Sequence, residues 1–590
     1  MLRNNFSPTS QGLFTRFKIL KIIVIIMLAI ILVRLFFIQI VEHGHWVMKA
    51  DEQHTLLETI VAKRGEIYMM EGEKPAPVVL NQTTYQIIID PSVTNQDEIK
   101  SALESYAKDY IVVDFDEIYH TDGLRYSIVA KNVPRELASQ ISELGISAVW
   151  FQKNNQRVYP ENEMASGLLG FVNADGIGQY GVEGSLNHLL AGKDGLLKTT
   201  SDINNVALSI GNDNIKIPAE DGKDIVLSID RSFERGIEEI ANEALASSAA
   251  TNVAVLAMDP NTGEILAMAN LPNYNPGNYG NVTDSSAYIN YTTEVPYEPA
   301  SICKSFAFSA AINEGVMTPH TTYYNQGYEI IDSETINNAE KRASLNGYID
   351  IQTALYWSLN TGSIYALKLL GNNTESINQQ GREKLYDYYY NKFRLGQATG
   401  IELAEAEGFV WSPNAEIYGL NAAYANMTFG QNLSLTMVQV ASAFSAIVNG
   451  GIYHTPTVVK GTLKNDKIIP FEQTTDAEDK ILSDETSATM RGMLINNRSS
   501  KVLWGIDPPG YAIGGKTGTA QAIKDGAYTM DEFIGSYIGF VGTEEELPKI
   551  VIMVKMWGEG QKIEGNKDPM SLFDSLSNYA INYFKIKPKV

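Results

Sequence analysis

The residues with the most chemistry to offer lie in the stretch Tyr297-Glu298-Pro299-Ala300-Ser301-Ile302-Cys303-Lys304. A serine hydroxyl is a weak nucleophile until a base takes its proton, and an uncharged lysine amine can be that base. A spacing of three residues sets Ser301 and Lys304 on one face of a helix, within reach of each other. Pro299 suits a helix start, because its φ is pre-set and its missing N–H has no helical partner there. The run that follows to Gly315 is free of proline and carries apolar Ile302, Phe306, Ala310 and Ile312. The pattern predicts a helix opening on the serine.

Ser-x-x-Lys alone is a common pattern, and a second copy, Ser105 to Lys108, reads as an ordinary solvated helix. Two later segments set the first copy apart. One is Ser358-Leu359-Asn360, with a helical run on each side; the other is Lys516-Thr517-Gly518-Thr519-Ala520, which follows Gly514-Gly515. Ser-x-Asn also occurs at Ser185, Ser344 and Ser376, so spacing by itself does not select one of the four. Gly514, Gly515 and Gly518 read as places where side chains are removed so that a substrate backbone can lie against a strand. Strand alternation puts Thr517 and Thr519 on one face, suited to gripping a carboxylate. None of the seven histidines lies in these motifs, which fits lysine as the base.

Taken together, Ser-x-x-Lys, Ser-x-Asn and Lys-Thr-Gly resemble the motif set of the penicillin-interacting serine transpeptidases. The phrase Ala354-Leu355-Tyr356-Trp357-Ser358-Leu359-Asn360-Thr361 looks like the family's middle motif, which favours Ser358 and Asn360, with Ser344 as the fallback. The resemblance implies acyl transfer in which Ser301 attacks, Lys304 takes its proton, Ser358 relays a proton and Asn360 holds Lys304 or the substrate amide. Lys516 helps to keep Lys304 neutral. Thr517, Gly518 and Thr519 bind substrate, and the backbone N–H groups of Ser301 and Thr519 hold the oxyanion.

The elements that must position these residues belong to a chain of 590 residues, 44% hydrophobic, too long for one compact core. Formal charge is −23, yet residues 1 to 41 hold five basic residues (Arg3, Arg16, Lys18, Lys21, Arg34) and no acidic one, leaving −28 for the rest. So acidic a remainder is a poor nucleic-acid binder. Cys303 is the only cysteine, which excludes an intramolecular disulfide and reads as a small buried spacer. No metal and no cofactor are expected.

Ile22 to Val41 is an apolar run of twenty residues, enough to cross a bilayer as a helix. Arg16, Lys18 and Lys21 flank its near side and Glu42 begins its far side, which places the N-terminus inside. The run is long for a cleaved signal, and Glu42-His43-Gly44-His45-Trp46 has no small-residue cleavage pattern, so an uncleaved anchor is expected. Arg34 is read as snorkelling to the outer interface.

Beyond the anchor, Lys63-Arg64-Gly65-Glu66-Ile67-Tyr68, Arg157-Val158-Tyr159-Pro160, Gly170-Phe171-Val172 and Gly181-Val182-Glu183-Gly184 resemble the N-terminal module of class B, monofunctional penicillin-binding proteins. The resemblance is imperfect at Met69-Met70-Glu71-Gly72, before Pro75 and Pro77. In such relatives the module is a pedestal that lifts the catalytic domain. A polar segment, Asn204 to Gly222, reads as a boundary. The expected organisation is a cytoplasmic tail at 1–21, an anchor at 22–41, a pedestal at 42–220 and a catalytic domain at 221–590. Strands are predicted at Asp224–Asp230, Val253–Met258 and Glu264–Ala269, with more at Ser536–Phe540 and Ile550–Met556. Helices are predicted from Phe233 to Ala246 and from Asp574 to Phe584.

The fold class is therefore α+β: a single N-terminal transmembrane helix, an extended α/β pedestal, then a transpeptidase domain whose antiparallel sheet has helices on both faces. The resemblance implies a peptidoglycan D,D-transpeptidase of the division type, acting on D-alanyl-D-alanine stem peptides and trapped by β-lactams. As partners it implies a SEDS-family glycan polymerase and other cell-wall synthesis membrane proteins. A hydrolase, either a D,D-carboxypeptidase or a β-lactamase, is the alternative, although no motif identifies a water-activating glutamate. A non-catalytic β-lactam sensor or scaffold is a second alternative, which the full set of motif side chains argues against.

Overall fold

The computed structural model describes residues 10–46, 49, 55–200, 215–471, 478–503, 505, 507–524, 527–543 and 545–588. The apolar N-terminal run is helical over Ser10–Phe36 and finishes in a π-type turn, Phe37–Val41. The segment Arg16–Val41 contains an 18-residue window with a mean hydropathy of 3.0 and is long and apolar enough to span a bilayer.

The chain divides into two compact units, one of residues 1–62 with 192–221, the other of residues 63–191 with 222–590. In the first, Thr55–Ile60, Gly195–Thr200 and Ile215–Ile217 form a small antiparallel sheet. Residues 204–214 of the predicted boundary segment lie outside the described residues.

The second unit contains two large sheets. One runs in the order Lys467–Pro470, Val459–Lys464, Asp224–Asp230, Ile67–Glu71, Lys74–Ile89 and Ser127–Pro134, with Val149–Val158 also paired to Lys74–Ile89. The strand Asp224–Asp230, predicted as the first of the catalytic domain, pairs here in parallel with Ile67–Glu71. Its side chains are buried at six successive positions, and a strand apolar on both faces belongs in a sheet interior. Around Met69 the chain makes a hairpin that turns at Gly72, where φ is +62°, and the two prolines are accommodated in the return strand, with Met70 opposite Pro75 and Tyr68 opposite Pro77.

The other sheet is antiparallel and five-stranded, in the order Ile265–Leu271, Asn252–Met258, Ile550–Trp557, Ala527–Gly542 and Ala512–Lys524. Alternation along Asn252–Met258 divides its side chains between two cores. Val253, Val255 and Ala257 meet helices Arg231–Ser247 and Asp568–Tyr583 through Phe233, Ile237, Leu572 and Phe573. Ala254, Leu256 and Met258 join a core on the other face that includes Phe306 and Phe444. Helix Met437–Val448 is buried at every residue, apolar but for Gln439, Ser442 and Ser445. The C-terminal helix starts at Asp568, earlier than the predicted Asp574, because Pro569 lies in its first turn, where a missing N–H costs nothing.

Candidate active site

Ser301 lies in a 3-10 turn, Ala300–Cys303, and the α-helix proper runs from Lys304 to Asn313. The predicted helix therefore opens one turn later than expected, and the serine precedes it. The cause is Ala300, held at φ +50°. Its N–H donates to Gly430 O (3.1 Å), and Gly430 itself has φ +77°. A Cβ on Gly430 would fall 2.1 Å from Ala300 O, so only glycine lets the two backbones approach so closely. Tyr297 and Leu435 exchange backbone hydrogen bonds (2.9 Å each), which ties the same turn to the same loop. Sequence reasoning missed this brace; the lone glycine of Thr428-Phe429-Gly430-Gln431, between two helices, was its available signal.

Lys304 is fully buried, and its Nζ lies 2.8 Å from Ser301 Oγ. The amine also donates to Ser358 O (2.7 Å) and Asn360 Oδ1 (2.9 Å), and Ser358 Oγ is 3.2 Å away. Among the described residues it has no carboxylate within ion-pairing distance. Burial, reinforced by the nearby Lys516 charge, holds its pKa well below the ordinary lysine value.

Ser358 occupies the break between helices Ile351–Tyr356 and Asn360–Leu370, at φ +52°. A serine in the left-handed region is strained, and such strain persists where surrounding structure over-determines it. The consequence is that Ser358 Oγ points between two lysines, with Lys516 Nζ 3.0 Å away on its other side. Ser185, Ser344 and Ser376 have no such contact; Ser344 sits in an exposed 3-10 turn, Ala343–Leu345.

Lys516 is 1% exposed and belongs to the edge strand Ala512–Lys524. Its Nζ donates to Thr517 O and Thr517 Oγ1, both at 3.1 Å, and burial pushes its pKa down to about 7. Thr517 is half-buried and Thr519 exposed on the same side of the strand, as alternation predicts. Thr519 Oγ1 accepts from Gly565 N–H (3.0 Å).

The glycines do other work than predicted. A Cβ on Gly514 would strike Phe540 at 2.6 Å, and one on Gly515 would strike the Tyr537 hydroxyl at 2.5 Å. On Gly518 it would meet Ser536 Oγ at 2.4 Å and Pro299 O at 2.5 Å. These glycines therefore let the protein pack against itself, and Gly518 in particular lets the strand lie on the serine turn. Asn497, buried and unforeseen, donates to Gly515 O (2.9 Å) and fastens the strand to helix Asp484–Ser499. Glu298 was also missed as a brace. Its Oε1 accepts from Asn432 N–H and Tyr528 O–H, both at 2.8 Å, linking the serine turn to two neighbouring segments.

In the second Ser-x-x-Lys copy both residues are exposed, but they do not share the predicted helix: Ser105 lies on helix Gln96–Tyr106 and donates back to Ser101 O (2.7 Å), while Lys108 lies beyond it in a 3-10 turn, Lys108–Tyr110. Cys303 is fully buried, and burial raises its thiol pKa, so it is a spacer. The site thus brings together two hydroxyls, two amines and a carboxamide, all drawn from three distant segments.

Residues 253–576 match the penicillin binding protein transpeptidase domain, and residues 59–227 match the penicillin-binding protein dimerisation domain. The chain is 29% identical to the stage V sporulation protein D of Bacillus subtilis over 428 residues, 72% of this chain and 63% of that protein. It spans less than two thirds of the length of the first curated relatives it matches. It is 26% identical to the peptidoglycan D,D-transpeptidase FtsI of Buchnera aphidicola (subspecies Schizaphis graminum) over 582 residues, 97% of this chain and 96% of that one. A crystal structure of penicillin-binding protein 3 from Mycobacterium tuberculosis, complexed with aztreonam, has the same fold, with a TM-score of 0.66 at 23% identity over 90% of this chain and 98% of that one.

Proposed function

The chain belongs to the penicillin-binding protein transpeptidase family, and from that premise we propose that it is a class B, division-type D,D-transpeptidase that cross-links peptidoglycan stem peptides through a serine acyl-enzyme. One observation carries the reading. The Lys304 amine faces Ser301 Oγ at 2.8 Å and, on its other sides, two acceptors with no proton to give, Ser358 O and Asn360 Oδ1. A neutral amine has two N–H bonds and one lone pair. With both N–H groups engaged, the lone pair is left for the Ser301 proton.

Ser301 Oγ attacks the carbonyl of the penultimate D-alanine, and its proton passes to Lys304. The peptide C–N bond then breaks, and the departing D-alanine takes up a proton relayed from Lys304 through Ser358 Oγ. Lys516 and the hydroxyls of Thr517 and Thr519 grip the terminal carboxylate, while Gly518 keeps their strand against the serine turn. Backbone N–H groups of Ser301 and Thr519 hold the oxyanion; each such donor contributes about 3 kcal/mol. An amine from a second stem peptide resolves the acyl-enzyme. A β-lactam enters by the same route and stays.

The reading extends to organisation. Residues 1–21 form a tail inside the cell, 22–41 a single-pass anchor, 42–220 a pedestal and 221–590 the catalytic domain outside the cytoplasmic membrane. The cluster Arg16, Lys18 and Lys21 on the near side of the apolar helix supports that orientation. A SEDS-family glycan polymerase and other membrane proteins of wall synthesis are the proposed partners.

The test uses the full chain in detergent with a donor pentapeptide ending in D-alanyl-D-alanine and an acceptor amine. Release of D-alanine together with the joined product is expected, and neither with Ser301→Ala. Donor hydrolysis without joined product, or fast penicillin turnover, would make the protein a hydrolase instead.

A further inference from the structure

Helix Asn360–Leu370 lacks a cap of its own, because Leu359 before it has no side-chain acceptor for the orphan N–H groups of the first turn. A residue from a different segment fills the place. Asn338 Oδ1 accepts from Thr361 N–H (3.0 Å), and the carbonyl one residue earlier, Asn337 O, accepts from Asn360 Nδ2 (2.9 Å). Asn338 is itself held firmly: it is 1% exposed, and its Nδ2 reaches Asn325 Oδ1 (3.1 Å) and Thr361 Oγ1 (3.2 Å). Its backbone N–H donates to Gly327 O (2.9 Å), and Thr361 Oγ1 donates to Asn325 Oδ1 (3.0 Å). A fully connected buried network of this kind fixes one geometry.

What it fixes is the direction of the Asn360 carboxamide. The amide nitrogen is engaged by Asn337 O, so the oxygen faces Lys304 Nζ at 2.9 Å. Turned the other way, the amide would aim N–H donors at an amine that needs acceptors. We propose that Asn338 is a positioning residue for acyl transfer: the Asn337–Asn338 clip holds the Asn360 oxygen on Lys304 and thereby leaves the Lys304 lone pair directed at Ser301. This rests on the reading of Ser301 and Lys304 as nucleophile and base.

The experiment measures, on the full chain in detergent, the non-covalent dissociation constant and the acylation rate constant for a fluorescent penicillin across pH. In Asn338→Ala the acylation constant falls about tenfold while the dissociation constant stays within about twofold. The acid limb of the rate profile moves to lower pH, since the ammonium loses an acceptor. Should Asn338→Ala fail to fold, Asn338→Ser, which keeps a polar group but is too short to cap, carries the same expected loss. A wild-type acylation constant in Asn338→Ala or Asn338→Ser overturns the proposal, as does a loss confined to the dissociation constant. In each of those cases a wild type labelled at Ser301 leaves the underlying reading intact; an unlabelled wild type removes both.

Discussion

Two clusters of buried charge in the second unit have opposite designs. Around Glu183, fully buried, Arg64 Nε and Arg157 Nε donate at 2.7 and 2.6 Å, and Arg64 Nη1 continues to Asn187 Oδ1 (2.8 Å). Charge meets opposite charge, and the cluster joins three segments of residues 63–191. Around Ser358, by contrast, two buried lysines share a hydroxyl, with no carboxylate among their contacts with the described residues. Burial with a partner makes a rivet. Burial without one drives amines toward their neutral, reactive form. Lys555 marks the limit of that rule. It is buried and pushed down to about 7 as Lys516 is, but it sits among the rings of Tyr297 and Trp557, each 4.7 Å away, with no side-chain hydroxyl in its hydrogen bonds. A lowered pKa becomes a site only where a group to be deprotonated lies within reach.

The contrast breaks most visibly at Lys304. Lys304→Met should cut penicillin acylation about 100- to 10,000-fold, the usual range for a lost general base, without lowering the denaturation midpoint, since no ion pair is removed. A comparable loss of stability would mean that the amine is a rivet after all. Glu183→Gln tests the other cluster. It leaves two guanidiniums facing a neutral amide and should cost about 3–5 kcal/mol of unfolding free energy in a denaturant titration. Acylation of the remaining folded protein should stay within about twofold.

A pH series sharpens the comparison within the cleft. On the proposed mechanism Lys304 acts as the free amine, so the acylation constant should rise as pH climbs through its lowered pKa. The proposed grip of Lys516 on a carboxylate requires its charge, so binding should weaken as pH passes about 7. Their product is a bell-shaped profile; a profile flat across that range contradicts the paired roles. The smallest effect belongs to Lys555. Its folded pKa lies near 7, below the unfolded value of about 10.4, so unfolding takes up a proton between the two and stability should rise with pH across that window. Lys555→Met should flatten that slope by one proton in urea midpoints and leave acylation within about twofold.

The chemistry was more legible in the sequence than its supports. Ser301, Lys304, Ser358, Asn360 and Lys516 come together as their motifs implied, because local patterns such as Ser-x-x-Lys encode local geometry. The braces did not show, because each depends on contacts between residues far apart in the chain. Asn338 reaches Thr361 across 23 positions, Glu298 reaches Tyr528 across 230, and nothing in their own neighbourhoods marks them. The glycines near Lys516 were visible, yet their reason was misread: the faces they leave open are filled by Phe540, Tyr537 and Pro299. Strand Asp224–Asp230 was found, but its sheet was not, since periodicity gives a strand and pairing gives its neighbours.

The central claim is that Ser301 is the group activated by the lysine cluster. Its most direct test is to react the full chain with a penicillin, digest it and map the modified residue by mass spectrometry. A single slowly released adduct on the peptide bearing Ser301, lost in Ser301→Ala, is the predicted result; an adduct on any other residue, or none, contradicts the account.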